Sequence, residues 1–523
     1  MPVTQVQQKV LIVDYGSQYT QLIARRIRQL HIFCEIVPHT EALEKIKKTV
    51  PAALILSGGP RSVNDLDAPL LDPELLALPI PILGICYGLQ LLAHLLGGKV
   101  VTAAHREYGR AQVRYAGSKN PAVHKLFKSF TVGEPFEVWM SHGDSIEALP
   151  KDFEAIATTE STPCAAIAHT SRPIFGLQFH PEVSHSPRGL ELLQAFLLDV
   201  AAIRPTWTMS TFLQEQVEVI QSVVGAQQQV VCGLSGGVDS AVVAALLARA
   251  LGSRLHCIFV DNGLVRRGET DQVRQVFAES MGVPLHVVDA REAFVTALRG
   301  VIDPEKKRKV IGKLFIDVFE AEARKIPNAH FLAQGTLYPD VIESVSFNGA
   351  VTIKSHHNVG GLPERMHLKL IEPLRALFKD EVRELGEQLG LPHQLCYRQP
   401  FPGPGLAVRI VGEVNAAQLE IVRHADVIVE EEIRAAQLYE TLWQSFAVLL
   451  PVRSVGVMGD ARTFEQTLAV RCVQSTDGMT ADWARLPHEV LARISNRVIN
   501  EVRGVNRVVY DISSKPPATI EWE

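Results

Sequence analysis

Cys86 stands in GICYG, residues 84–88, with a glycine two positions away on either side. The apolar run LPIPIL precedes it and the helix-like QLLAHLL follows. This is the setting of a nucleophile on a sharp strand-to-helix turn, the cysteine counterpart of G-x-S-x-G. Glycines tolerate such a turn, and the positive end of the following helix favours thiolate over thiol. Taken alone, the five residues also fit a buried structural cysteine. A thiol nucleophile needs a base, and the base needs an orienting group. QFHPE (178–182) offers both, His180 and Glu182, at the end of the strand-like IFGLQF, where a period of two places them on one face. In SGGP (57–60) the backbone N–H of Gly59 can join that of Tyr87 as an oxyanion hole.

A second constellation is SGGVDS (235–240), between strand-like VVCGL and helix-like AVVAALLARAL. A Gly-rich turn entering a helix binds phosphate through its N–H groups and the helix end. It is neither G-x-x-x-x-G-K-[ST] nor G-x-G-x-x-G. Asp239 within it is a candidate Mg²⁺ partner, since that ion prefers hard oxygen ligands. The pair His356-His357 lacks a third ligand at suitable spacing, so a loop is favoured there over a metal site.

Elements of an α/β kind must position these residues. KVLIVDYG, FCEIVPH, AALILSGGP and PILGIC read as strands alternating with helices such as QYTQLIARRIRQL. EPFEVWMSHGD and AAIAHTSRPIFGLQFHPE are richer in strand, so this sheet is expected to end in a mixed or antiparallel portion. The rhythm restarts after the Pro/Trp stretch AIRPTWTM, and RLHCIFVDNG and PLHVVDA add strands ending in aspartate or glycine. RQPFPGPG opens a third segment, followed by a long helical stretch from Asn415 to Leu450 and strands SVGVMG, TLAVRCV and RVVYDIS. The expected fold class is α/β: two successive mostly parallel α/β domains, 1–203 and 204–395, then a smaller α+β domain, 396–523.

The totals are those of an ordinary soluble globular protein: 523 residues, 47% hydrophobic, 21% charged, net charge −5. The charge gives no basic field, so no nucleic-acid partner is expected. Seven scattered cysteines without C-x-x-C fit reduced thiols. There is no leader-like start and no apolar run near the ~20 residues of a membrane span. A cytoplasmic protein with no membrane partner is expected.

The first segment resembles the class I (triad) glutamine amidotransferases, carried by GICYG, SGGP and QFHPE in order. The resemblance implies a Cys86-His180-Glu182 triad that hydrolyses glutamine. It also implies glutamine contacts from Gln90 and from Ser141, His142, Gly143 and Asp144 of MSHGD. The second segment resembles the N-type ATP pyrophosphatases through SGGVDS, VDNG (260–263), GTLYPDVIES (335–344) and IKSHHNVGG (353–361). That likeness implies ATP contacts from Ser235, Gly236, Gly237, Val238, Asp239 and Ser240, with Mg²⁺ accompanying ATP and Lys354 on a lid. With the ending KPPATIEWE, essentially the whole chain resembles the GMP synthase family. Glutamine, ATP and XMP are then the small-molecule partners, with XMP contacts at Arg308, Asp460, Lys515 and Glu521. A homodimer through the C-terminal domain is implied as well.

Ala461 and Ser514 stand where that family is expected to have glycine. A positive φ at either would cost about 1 kcal/mol of backbone strain. NAD synthetase and asparagine synthetase share the loop but not the ending, and a tRNA-thiolating enzyme would bring catalytic cysteines near it. A non-catalytic glutamine or nucleotide sensor predicts binding without turnover, yet the nucleophile, base and phosphate loop are all present.

Overall fold

The computed structural model describes residues 8–344, 368–458, 461–475 and 478–523. The chain parts into two compact units, one holding residues 8–212 and the other beginning at Leu213.

The first unit is built on a nine-stranded sheet. Its strands are β1 (Lys9–Asp14), β2 (Phe33–Pro38), β3 (Ala53–Leu56), β4 (Ile82–Ile85), β5 (Lys99–Tyr115), β6 (Pro135–Ala148), β7 (Phe153–Thr158), β8 (Ala166–His169) and β9 (Ile174–Leu177). Their order is β2-β1-β3-β4-β9-β8-β7-β5-β6. The first five in that order pair parallel, and the rest antiparallel. The expected mixed sheet is thus present. The central strands β3, β4 and β9 are buried along their whole length. Such continuous apolar runs mark strands covered on both faces. Helices α1 (Thr20–Gln29) and α2 (Ala42–Lys48) connect parallel strands, and α3 (Tyr87–Leu95) leads from β4 to β5. In α1, Ile23, Ala24 and Ile27 recur at helical spacing and are buried.

The second unit holds a five-stranded parallel sheet of β10 (Gln229–Leu234), β11 (Leu255–Asp261), β12 (Leu285–Asp289), β13 (Ala329–Ala333) and β14 (Lys369–Ile371), ordered β12-β11-β10-β13-β14. A further sheet pairs β15 (Gln444–Met458) with β16 (Ala461–Gln474) antiparallel. β16 also takes β17 (Asp482–Trp483) antiparallel and β18 (Val505–Tyr510) parallel. One core runs through both, from Val231 and Ile258 to Val429, Leu468 and Ile494.

The long helix expected from Asn415 to Leu450 stops at Ala435. Gln437 takes φ 58°, and the chain becomes strand β15 from Gln444. The apolar FAVLL that looked like more helix is a strand buried on both faces, Ala447 and Leu449 in one cluster and Phe446 and Val448 in another, and a short apolar run cannot be told from helix by period alone. Ser514 is not among the residues with positive φ, and Ala461 opens strand β16, so neither needs the glycine conformation.

Candidate active sites

Cys86 occupies the single residue between β4 and α3 and takes φ 53°, ψ −103°. For a non-glycine residue this is strained backbone, a conformation retained where the side chain must be aimed. The turn is clamped from outside. Cys86 N–H donates to Leu177 O of the neighbouring strand at 2.7 Å, and Gly88 N–H donates to Ser57 O at 3.1 Å. A Cβ on Gly88 would collide with the carbonyl oxygen of Leu56. Cys86 itself is 6% exposed, so little of it meets solvent.

His180 and Glu182 meet as expected, but not through strand geometry. β9 ends at Leu177, and both residues lie in the irregular segment after it. That segment is fixed by hydrogen bonds: His180 N–H donates to Trp139 O at 3.0 Å, and Ser186 Oγ donates to His180 O at 2.6 Å. The result places His180 Nδ1 2.7 Å from Glu182 Oε1, with both side chains buried. Tyr19 meets the imidazole edge-on at 5.1 Å between centroids. Burial by itself would lower the His180 pKa. The Glu182 charge and the hydrogen bond to Cys86 outweigh it and hold the pKa well above the ordinary 6.5.

Around the thiol, Ser141 O lies 3.5 Å from Sγ and Gln178 Nε2 lies 3.8 Å away. Gln90 Nε2 donates to Asp144 O at 3.2 Å and faces Gln178 Oε1 at 3.4 Å. Ser62 Oγ donates to the Asp144 carboxylate. Gly59 packs on Tyr15 and Tyr87, and Tyr87 is the first residue of α3. Its N–H therefore lies outside the helix ladder. Ser57 Oγ accepts from Tyr15 N and donates to Gly58 O, which shapes the SGGP loop beside His180. Gln178 went unnoticed in the sequence, although it sits in the same QFHPE string as the base.

In the second unit the SGGVDS loop joins β10 to the helix Val238–Leu251. Gly236 has φ 75°, and a Cβ there would run into Glu269. Ser240 Oγ accepts from Ser235 N at 3.1 Å and lies 3.0 Å from Ser235 Oγ, which holds the loop closed upon itself. Arg398 braces it from below, donating to Gly236 O at 3.0 Å and to Glu269 at 2.8 Å. Asp239 is gripped by Lys379, whose Nζ lies 2.6 and 2.7 Å from the two carboxylate oxygens. Nothing in FKDEVRELG singles Lys379 out in the sequence.

Among the described residues no cluster of three or more His, Cys, Asp or Glu side chains is arranged to hold a metal. Asp239, in the first turn of the helix after the loop, and Asp261, at the end of β11, are the hard-oxygen candidates. Asp261 is engaged by Thr270 Oγ1 and Gly263 N–H, each at 3.0 Å. A Mg²⁺ ion here would be held by one or two carboxylates together with ATP phosphates and water, the usual habit of this ion. Lys354, His356, His357 and Asp460 lie outside the described residues.

Three of the four expected XMP contacts are described: Lys515 and Glu521 lie in the last nine residues of the chain, and Arg308 meets that segment. Arg308 donates to Glu523 O at 2.5 Å. Glu521 pairs with buried Arg409 at 3.3 Å and accepts from Gln444 at 3.0 Å. Lys515 pairs through its backbone with Ala481, and its Nζ donates to Gly478 O at 2.7 Å. Arg409 and Asp426, which anchor this end at 3.3 Å, were not visible as partners in the sequence.

The first unit thus has the architecture of a triad glutamine amidotransferase, and the second carries a pyrophosphate-type loop on a parallel sheet. Residues 11–200 match the family described as glutamine amidotransferase class-I, and residues 208–315 match NAD synthase. Residues 431–522 match the GMP synthase C terminal domain. A GMP synthase [glutamine-hydrolyzing] of a Nitratiruptor species is 57% identical over 98% of this chain and 99% of its own length. Proteins of the same description from Oleidesulfovibrio alaskensis and Aquifex aeolicus are 56% and 54% identical, over 99% and 98% of this chain and 99% of each relative. The chain belongs to the glutamine-hydrolysing GMP synthase family.

Proposed function

We propose that the two constellations divide one synthesis between them, with work assigned to residues 1–203, 204–395 and 396–523. The overall reaction is glutamine-dependent formation of GMP. At the first site the Cys86 thiolate attacks the carbonyl carbon of the glutamine side-chain amide. The oxyanion that forms is met by the N–H groups of Gly59 and Tyr87. His180 gives its proton to the departing nitrogen, so ammonia leaves and a thioester remains. Water then attacks the thioester with His180 as base, releasing glutamate and restoring the thiol. Glu182 keeps the imidazole oriented and protonated, and Gln90 with residues 141–144 holds the amino-acid end of glutamine.

At the second site the loop 235–240, with Lys354, cradles ATP. An XMP oxygen attacks the α-phosphorus, and diphosphate leaves. Ammonia then displaces AMP from the purine carbon. Arg308, Asp460, Lys515 and Glu521 hold XMP. Mg²⁺ supplies charge neutralisation on the phosphates when bound, with Asp239 as its protein partner. Keeping ammonia inside the protein preserves it unprotonated and excludes water from the adenylated carbon.

The C-terminal segment is the homodimer interface. Val455 and Val457 point to one face of β15, and Phe464 lies directly opposite Val455 in the register; all three are more than half exposed.

The observation that carries the glutaminase reading is the 2.7 Å contact of His180 with Glu182 beside a nucleophile held at φ 53°. The test is XMP-dependent formation of AMP and GMP from ATP, with glutamine and separately with ammonium. Cys86→Ala is expected to retain the ammonium reaction and lose the glutamine reaction. If the wild-type protein makes no GMP from either donor, the reading fails.

A further inference from the structure

Glu107 lies on β5, opposite His142 of β6 in the strand register. Its carboxylate is the hub of a polar cluster that the triad does not explain. One oxygen accepts from Thr159 Oγ1 at 2.8 Å and from Ser161 Oγ. The other accepts from Thr162 Oγ1 at 3.0 Å and faces His142 Nε2 at 3.2 Å. Burial would raise the Glu107 pKa, but these hydrogen bonds outweigh it and hold the carboxyl below its ordinary range.

From His142 a chain of contacts leads to the nucleophile. The ring is 3% exposed, and its Nδ1 lies 3.0 Å from Asp144 O, the carbonyl that also accepts from Gln90 Nε2. Gln90 faces Gln178, and Gln178 faces Cys86 Sγ. Glu107 Oε2 and Asp144 O are both acceptors, so a neutral His142 ring donates to one of them and only the imidazolium donates to both. Removing the carboxylate frees the ring to turn, and the Asp144 carbonyl then loses its 3.0 Å contact with Nδ1 and keeps only the Gln90 amide. The 159–162 turn is tied into the same cluster, since Thr162 N–H donates to Thr159 Oγ1 at 2.8 Å.

We propose that Glu107 is a positioning residue for glutamine: through His142 it fixes the Asp144 carbonyl and the Gln90 amide against which the substrate is seated. This rests on the reading that Gln90 and residues 141–144 contact glutamine. It predicts an effect on substrate seating, with the chemistry at Cys86 left intact.

The test measures glutamate release at varied glutamine for wild type, Glu107→Gln, Glu107→Ala and Gln90→Ala, with ammonium-driven GMP formation as the control for the other active site. Glu107→Gln keeps size and an acceptor for the hydroxyls but removes the charge facing His142. The expected result is a glutamine KM raised about tenfold, the scale of one lost hydrogen bond to a charged group, with kcat within about twofold and ammonium-driven synthesis unchanged. Glu107→Ala raises KM at least as far. Should the alanine variant not fold, the glutamine variant alone decides. An unchanged KM in Glu107→Gln alongside a raised KM in Gln90→Ala overturns the inference. So does a fall in kcat with KM unmoved. An unchanged KM in Gln90→Ala overturns instead the glutamine reading on which the inference rests.

Discussion

Gly84 and Gly88 face each other across the Cys86 turn so closely that a Cβ on Gly84 would lie 2.5 Å from the Gly88 carbonyl oxygen. Neither glycine is there for a positive φ; both are absent from the positive-φ residues, and Cys86 between them carries that conformation instead. The glycines permit the last residues of β4 to press against the first turn of α3, and that pressure leaves Cys86 no relaxed alternative.

Gly84→Ala is therefore expected to destabilise the first unit by about 1–3 kcal/mol, the usual cost of overpacking, and to abolish glutamine-driven synthesis. Ammonium-driven synthesis should persist, because the damage is confined to the cysteine turn. Equal loss of both activities would show that the turn is not specific to the glutaminase reaction.

Glu182→Gln should reveal the charge held on His180. The fold raises the His180 pKa above 6.5, so this group's contribution to stability is complete below about that pH. It is lost as the pH rises through the folded value. Replacing Glu182 removes the main raising influence and leaves burial to lower the pKa. The gap in Tm between wild type and Glu182→Gln should be widest near pH 6 and narrow as the pH is raised. Calorimetry across that range checks this, and a gap independent of pH would refute it. Glutaminase kcat/KM should fall by about 10²-fold or more, the usual share of acid–base catalysis.

Lys379→Met should act on the other half of the reaction. Lys379 holds both oxygens of Asp239 on the loop that receives phosphate. Without it, XMP-dependent diphosphate release is expected to fall about 10²-fold, on the scale of a lost electrostatic contact at a transferring phosphoryl group. The fall should be the same with glutamine and with ammonium, since both routes share this site. A loss confined to the glutamine route would remove Lys379 from the synthetase chemistry.

Local signals carried the sequence reading furthest. GICYG and SGGVDS announce themselves because nucleophile turns and phosphate loops need small residues at fixed offsets. The alternation of apolar strands and helices likewise revealed the parallel half of the first sheet and the parallel sheet of the second unit. The His180–Glu182 pairing was foreseen from a strand period, yet the segment is held by Ser186 and Trp139 instead. Lys379 reaches Asp239 across 140 residues of sequence, and Glu107 meets Thr159 across 52. Such contacts depend on which helices and strands become neighbours, and spacing along the chain does not encode that. The break after Ala435 was missed because FAVLL is apolar in helix and strand alike.

The exposed face of the β15–β16 hairpin gives the last prediction. Val455, Val457 and Phe464 are 59%, 72% and 61% exposed, and the register sets Val455 directly against Phe464. Three large apolar side chains on one sheet face are costly to leave in water, at roughly 25 cal/mol for each Å² of apolar surface. A second copy of the same hairpin would cover them, since a two-fold interface is self-complementary. Sedimentation of the wild-type protein should give twice the 57.6 kDa of one chain, and Phe464→Glu should shift it to a single chain at micromolar concentration. Desolvating two glutamates at a two-fold axis is costly enough to open an interface of this kind. A wild-type monomer, or a dimer indifferent to Phe464→Glu, would place the interface elsewhere.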